Sequence, residues 1–216
     1  MVDQLTEGFK ALPTAAISDA MDRLGIAGQC LGITPLSPTF RLAGRAFTLK
    51  YRPVGYVEKG NVGDYIDDIP PGDVVVLDNQ GRLDCTVWGD ILTMVAHRRG
   101  VGGTVINGVC RDIARALDLN YPIYSRARFM RTGKDRVEVA EMNTPVSMGE
   151  VQVRPGDYMV GDADGVLVVP ASAAEKVLET ARSIEEAEQA IEAECAKGTR
   201  LDEARTKFRY HQLQSK

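Results

Sequence analysis

Residues 83–112, LDCTVWGDILTMVAHRRGVGGTVINGVCRD, limit the possible folds more than any other stretch of this chain. LDCTVWG reads as a strand. Asp90 then stands at the N-cap of a helix in which Ile91, Met94 and Val95 share one face and which stops at Gly100. GGTVING gives a second short strand, with Arg111 and Asp112 following it. A strand–helix–strand unit of this length joins parallel strands, and such crossovers are right-handed in nearly all proteins. Both strands then finish on one carboxyl edge. Asp90 and the Arg111–Asp112 pair, 21 and 22 residues apart, are expected to face each other there, where open α/β sheets bind ligands.

The remaining punctuation fits one α/β domain over residues 1–216. LPTAAISDAMDRLG places Ile17, Ala20, Met21 and Leu24 at helical spacing before Gly25, with Thr14 or Ser18 available as a cap. RLAGRAFTLKYRP alternates as a strand does. YIDDIPPGDVVVLDNQG reads as turn, buried strand, turn. Its PPGDVVVLD is echoed by RPGDYMVGD at 154–162, which suggests two related strand starts. DADGVLVVP supplies one more apolar strand. From Ala171 to Ala196 there is neither Gly nor Pro, so a long C-terminal helix is expected, ended by Lys197–Gly198.

Composition narrows the function. At 44% hydrophobic and 26% charged residues the chain is a folded, globular type, not a disordered one. No apolar run approaches the roughly 20 residues needed to span a bilayer, and no secretory signal is visible, so a cytoplasmic location is expected. A net charge of -4 argues against nucleic acid as partner; only Thr199–Lys216, with five Lys/Arg against two acids, is basic. Cys30, Cys85, Cys110 and Cys195 are scattered and read as free thiols. His97 and His211 are the only histidines, which excludes a histidine-built metal site.

The Asp90/Arg111/Asp112 corner has defined chemistry. Gly89 allows a ligand close to the backbone. The first-turn amides of Ile91 and Leu92 lack intrahelical acceptors and can donate to a carboxylate or phosphate. Arg111 can bind an oxyanion through two parallel hydrogen bonds. Asp90 and Asp112 offer hard oxygens, which suit Mg2+ or Mn2+. Read structurally, Asp90 is a helix cap and Arg111–Asp112 a surface pair.

At these residues the sequence resembles the RraA-like proteins and class II 4-hydroxy-4-methyl-2-oxoglutarate/4-carboxy-4-hydroxy-2-oxoadipate aldolases. The mark of that family is an Asp, twenty residues, then Arg-Asp, and Asp90 with Arg111–Asp112 fits it without a gap. TAAISDAMDRLG, GITPLSP, LAGRAFTL, IPPGDVVVLD, WGDIL, GGTVINGVCRD and VRPGDYMVGDADGVLVVP extend the likeness over nearly the whole chain. The resemblance implies a three-layer β/β/α swivelling-type domain in a homotrimer or homohexamer, with the segment from about 171 to 216 at a subunit interface. It implies a lyase that uses Mg2+, Mn2+ or another divalent cation to cleave 4-hydroxy-4-methyl-2-oxoglutarate-like 2-oxo diacids to pyruvate and a second keto acid, and that decarboxylates oxaloacetate.

By position, Asp112 would be the metal ligand and Arg111 would hold the substrate's keto oxygen. Gly89, Asp90, Ile91 and Leu92 would form the loop that receives the pyruvate carboxylate. A neighbour's C-terminal helix would add an acid, for which Glu185, Glu186 and Glu188 compete, Glu188 being favoured. No lysine lies inside the motif, which argues against a Schiff-base aldolase. Asn107 stands where the family commonly has Asp, Arg115 where some members carry an acid, and His97 where a small apolar residue is usual. The alternative reading is an RraA-type inhibitor that binds RNase E without catalysis.

Overall fold

A computed structural model describes residues 4–56, 60–208 and 210. His211 and the end of the basic tail lie outside the described residues. The helices are α1 (Gln4–Lys10), α2 (Thr14–Leu24), α3 (Asp90–Arg98), α4 (Ile113–Asp118), α5 (Ala174–Ala196) and α6 (Leu201–Lys207). The strands are β1 (Thr34–Pro35), β2 (Leu42–Pro53), β3 (Val74–Thr86), β4 (Gly103–Cys110), β5 (Ile123–Arg128), β6 (Val137–Met142), β7 (Val146–Met148), β8 (Val151–Val153), β9 (Tyr158–Asp162) and β10 (Gly165–Val169).

The fold is α/β, as expected, built on one central sheet ordered β1-β5-β4-β3-β2-β9-β10, with β6 also paired to β2. The short β7–β8 pair forms a second sheet that packs on β2, β3 and β4. β2 is long enough to serve three partners. Leu42–Arg45 pairs antiparallel with β9, Ala46–Lys50 parallel with β3, and Leu49–Pro53 antiparallel with β6. The two echoed turns lead into the strands on either side of β2. Gly72 (φ 88°) and Gly156 (φ 85°) take the left-handed conformation those turns need, and each is followed by an Asp whose amide closes the turn.

Two apolar clusters hold the layers. Phe9, Ile17 and Met21 meet Val177, Leu178 and Ala181 of α5 over Tyr158, Val160, Leu167 and Val169 of the sheet. The buried positions of α5, Ala174, Val177, Leu178, Ala181, Ile184 and Ile191, recur at helical spacing, which is why a stretch rich in Glu folds as a helix with one dry stripe. Burying each such Val or Leu contributes about 1.5–3 kcal/mol. The second cluster lies around β2, β3, β4 and β5 and includes Leu49, Tyr51, Val76, Leu77, Trp88, Ile106 and Tyr124. Among the described residues no helix is long and apolar enough to cross a membrane.

Besides the cap of α2, which is Pro13 and not Thr14 or Ser18, three sequence expectations change. VVVLDNQG and LDCTVWG are not two strands separated by a turn. The first and the LDCT of the second belong to one strand, β3, whose register against β4 slips twice: Asp78 faces Asn107, Arg82 faces Gly108 and Thr86 faces Val109, so β3 advances eight residues while β4 advances two. The long helix starts at Ala174, because Ala171–Ala173 form a 3-10 turn after Pro170. The N-cap of α3 is Gly89, and Asp90 is the first residue of the helix.

Candidate functional site

β3, α3 and β4 form the expected parallel crossover, so the ends of both strands share one edge. Thr86 locks them together: its Oγ1 has one proton to share between Trp88 O (2.7 Å) and Val109 O (3.1 Å), and the Arg111 amide donates to Trp88 O (3.3 Å). Trp88 is buried; it stacks on Tyr121, and its indole N–H donates to Thr93 Oγ1 at 2.9 Å. The first turn of α3 is therefore fixed to the sheet before any ligand binds.

The geometry brings Asp90, Arg111 and Asp112 together. The Asp90 amide donates to Asp112 Oδ2 at 3.2 Å, and Arg111 Nε lies 3.1 Å from the same oxygen. The Arg111 contact is an ion pair without hydrogen-bond alignment, because Nε is buried and has no acceptor. Asp112 holds a left-handed conformation (φ 58°, ψ 41°) at the start of α4, a backbone that Asp tolerates better than most residues. Gly89 leaves room for it: a Cβ there would sit 2.8 Å from Asp112 Oδ2 and 3.4 Å from Arg111 Nε. The backbone of Gly89 is extended (φ -155°), so the requirement for glycine is one of space, not of conformation.

One expected donor is already engaged. The Ile91 amide donates to Asp90 Oδ1 at 2.9 Å, closing a small loop on its own neighbour. The Leu92 amide follows in the same turn, without an intrahelical acceptor.

Gly89, Asp90, Ile91, Leu92 and Arg111 wall a cleft of about 180 Å3 together with Trp88 and Lys134, and Asp112 stands behind this wall, in contact with Asp90 and Arg111. Sequence reading missed Thr132, Gly133 and Lys134. They reach the cleft because Thr132 bridges to Thr86, and because Gly133 has no Cβ to strike the Thr86 carbonyl. The motif itself lacks lysine, but the fold delivers one beside it. Its only local signal is the polar Thr-Gly-Lys following β5, which carries no address without the tertiary pairing. Lys134 also lines an adjoining cleft of about 380 Å3 with Gly60, Asn61 and Asp64.

A larger cleft, about 400 Å3, lies between the start of α2 and residues 29–34. Among the described residues its charged lining is Asp164 alone, whereas the smaller cleft gathers Asp90, Arg111 and Lys134. Convergent charge beside the Asp90–Asp112 contact makes the smaller cleft the candidate site.

Glu188 does not line the cleft of its own chain. It faces Asp19, Glu185 and Glu192, and burial first, then these acids, raises its pKa. His97 is exposed on α3, and Arg115 is exposed on α4.

Asp90 and Asp112 are too few to cage a cation: among the described residues no group of three or more His, Cys, Asp and Glu could hold one. They do fit Mg2+, which commonly takes one or two carboxylates and keeps several waters. The open side of Asp112, with its other flank against an amide and a guanidinium, is consistent with that use.

The family model described as RraA-like: Aldolase/RraA matches residues 14–168. The chain belongs to the RraA-like family. A Legionella pneumophila protein named DlpA is 39% identical over 92% of this chain, which spans 33% of the length of DlpA. A Halalkalibacterium halodurans protein provisionally named 4-hydroxy-4-methyl-2-oxoglutarate aldolase is 36% identical, over 88% of both chains. Among solved structures, an uncharacterized Pseudomonas syringae protein aligns with TM-score 0.87 at 41% identity, over 94% of this chain and 98% of the other. Streptomyces coelicolor RraAS2, described as an unusual member of the RNase ES inhibitor RraA protein family, aligns with TM-score 0.78 at 28% identity, over 88% and 97%.

Proposed function

We propose that this RraA-like chain is a divalent-metal-dependent lyase that cleaves a carbon–carbon bond beside a 2-oxo acid and releases pyruvate. The observation that carries the reading is the convergence on Asp112: an amide, a guanidinium and the space left by Gly89 all meet one carboxylate oxygen. The provisional aldolase name of a relative 36% identical to this chain supports the same chemistry.

In this reading Asp112 ligates Mg2+, with Mn2+ able to replace it, and Asp90 assists. When bound, the cation supplies Lewis-acid stabilisation of negative charge on the substrate's keto oxygen. Arg111 contributes a fixed positive charge at the same oxygen as charge develops there, while its buried Nε stays against Asp112. Asp90 has a gating part. Turning its carboxylate away from Ile91 frees that amide, so the Ile91 and Leu92 amides together receive the pyruvate carboxylate. Asp90 would also take or relay the proton of the C4 hydroxyl. Lys134 offers its ammonium to the second carboxylate of a diacid, in the adjoining cleft. Oxaloacetate would lose CO2 through the same charge stabilisation.

The assembly belongs to the proposal as well. In a homotrimer or homohexamer, α5 of a neighbour would bring Glu188 to the cleft, which its own α5 does not reach. Nothing in the arrangement of this chain's residues specifically favours the RNase-inhibitor reading.

The test is a coupled pyruvate assay over a panel of 4-hydroxy-2-oxo diacids and oxaloacetate, with and without Mg2+. Pyruvate release that depends on Mg2+ and disappears in Arg111→Ala supports the reading. Undiminished activity in EDTA rejects the metal assignment, and silence across the panel rejects the lyase.

A further inference from the structure

The carboxyl half of β4 leads into Arg111 and Asp112, yet ordinary strand pairing guides it poorly. Its register against β3 breaks after Asn107, and its register against β5 breaks between Ile106 and Val109. A side-chain relay stands at that break. Asn107, buried, donates from Nδ2 to Asp78 Oδ1 of β3 and to the Ser147 carbonyl of β7, both at 2.9 Å. Its Oδ1 accepts from Arg126 Nε of β5 at 2.6 Å. Asp78, also buried, accepts the amides of Gln80 (2.9 Å) and Ser147 (3.1 Å) as well. The neighbours fix which way the Asn107 amide points, since a flipped amide would set oxygen against carboxylate and N–H against guanidinium.

Arg126 is closely cradled. Cβ atoms on Gly32 and Gly149 would come within 3.3 and 3.0 Å of its guanidinium, and Gly81, at 3.6 Å, borders it too. All three glycines have positive φ. One amide thus joins three adjacent parallel strands and the small sheet, immediately before the segment that must hold Asp112 against the Asp90 amide.

We propose that Asn107 is a positioning residue, which through Asp78 and Arg126 sets the end of β4 so that Arg111 and Asp112 meet Gly89–Asp90. The claim about catalysis rests on the lyase reading; the claim about position does not. The test pairs Asn107→Leu with Arg126→Gln, a half-buried site whose variant should fold even if the first does not. Hydrogen exchange is read in peptides covering 86–92 and 108–113, and pyruvate release is measured alongside.

Both variants that fold should exchange about tenfold faster in those two segments, with β9 and β10 keeping wild-type rates. Their kcat should fall while KM stays within about twofold, as expected when reacting groups are displaced but binding survives. Unchanged exchange in Arg126→Gln, or exchange that rises equally in β9 and β10, overturns the relay. Faster local exchange with undiminished kcat in an active enzyme overturns its catalytic part. If the wild type releases no pyruvate, the lyase reading fails and exchange alone decides the relay.

Discussion

Asp112 Oδ2 lies 3.2 Å from the amide nitrogen of Asp90, a residue 22 positions earlier in the chain. That contact ties the end of one parallel strand to the helix following its neighbour, and it fixes what substitutions nearby should do.

Gly89→Ala is expected to lower pyruvate release about a hundredfold, since displacing reacting groups by an ångström costs that much. The added Cβ would meet Asp112 Oδ2 at 2.8 Å. Stability should barely change, because alanine adopts the extended backbone of Gly89 without strain. Rates and melting temperature measured together separate the two effects.

Asp112→Asn is expected to abolish activity and Mg2+ dependence while the protein stays folded. Asparagine keeps the shape and tolerates the left-handed backbone, so charge alone is removed. Mg2+ titration of both proteins, followed by calorimetry, checks this. Chelation of the wild type with EDTA should reproduce the loss, and added Mg2+ should reverse it.

Lys134→Met should raise KM for a 2-oxo diacid about tenfold, and leave inhibition by pyruvate, which lacks a second carboxylate, nearly unchanged. Steady-state kinetics with both ligands are the measurement. An equal effect on pyruvate would move Lys134 to the other end of the substrate.

Acid should loosen the wall beside the cleft. Glu138 accepts the Gly60 amide at 2.6 Å and Arg52 Nε at 2.9 Å, and these contacts hold its pKa below the usual glutamate value. A depressed folded-state pKa gives stability that is present above the unfolded value of about 4.3 and is lost as pH falls through the folded one. Exchange at the Gly60 amide should rise across that window, and Glu138→Gln should remove the dependence.

Thiol labelling at mild alkaline pH should modify Cys195 first. Burial pushes the Cys30 thiol up to about 12 and raises those of Cys85 and Cys110, whereas Cys195 is partly exposed. Mass spectrometry of the labelled peptides reads the order.

The crossover was legible because its parts are local: a short strand in GGTVING, helical spacing in ILTMVAHRR, and a glycine to stop it. From these the meeting of Asp90 with Arg111 and Asp112 follows by topology. What escaped depends on contacts between distant segments. Lys134 reaches the cleft through the Thr86–Thr132 bridge, and nothing in RTGKDR announces that partner. The detour of β3 looked like a turn between two strands, because Asn-Gln-Gly has the composition of a turn whether or not the ladder resumes beyond it. The helix cap was misplaced by one residue, since Asp is the better intrinsic cap, but here its amide is claimed by Asp112.

Within the β3 detour, Asn79–Cys85, Arg82 still pairs with Gly108, and the segment beyond it is bracketed by that rung and by Thr86 with Val109. Its outermost part, Leu83, points into solvent, and the Arg82–Asp84 pair beside it is a surface contact of small energetic weight. Extra residues spliced in after Leu83 would lengthen a loop whose feet are already anchored. A reporter peptide can therefore be carried there, a short walk from the cleft, without either foot shifting.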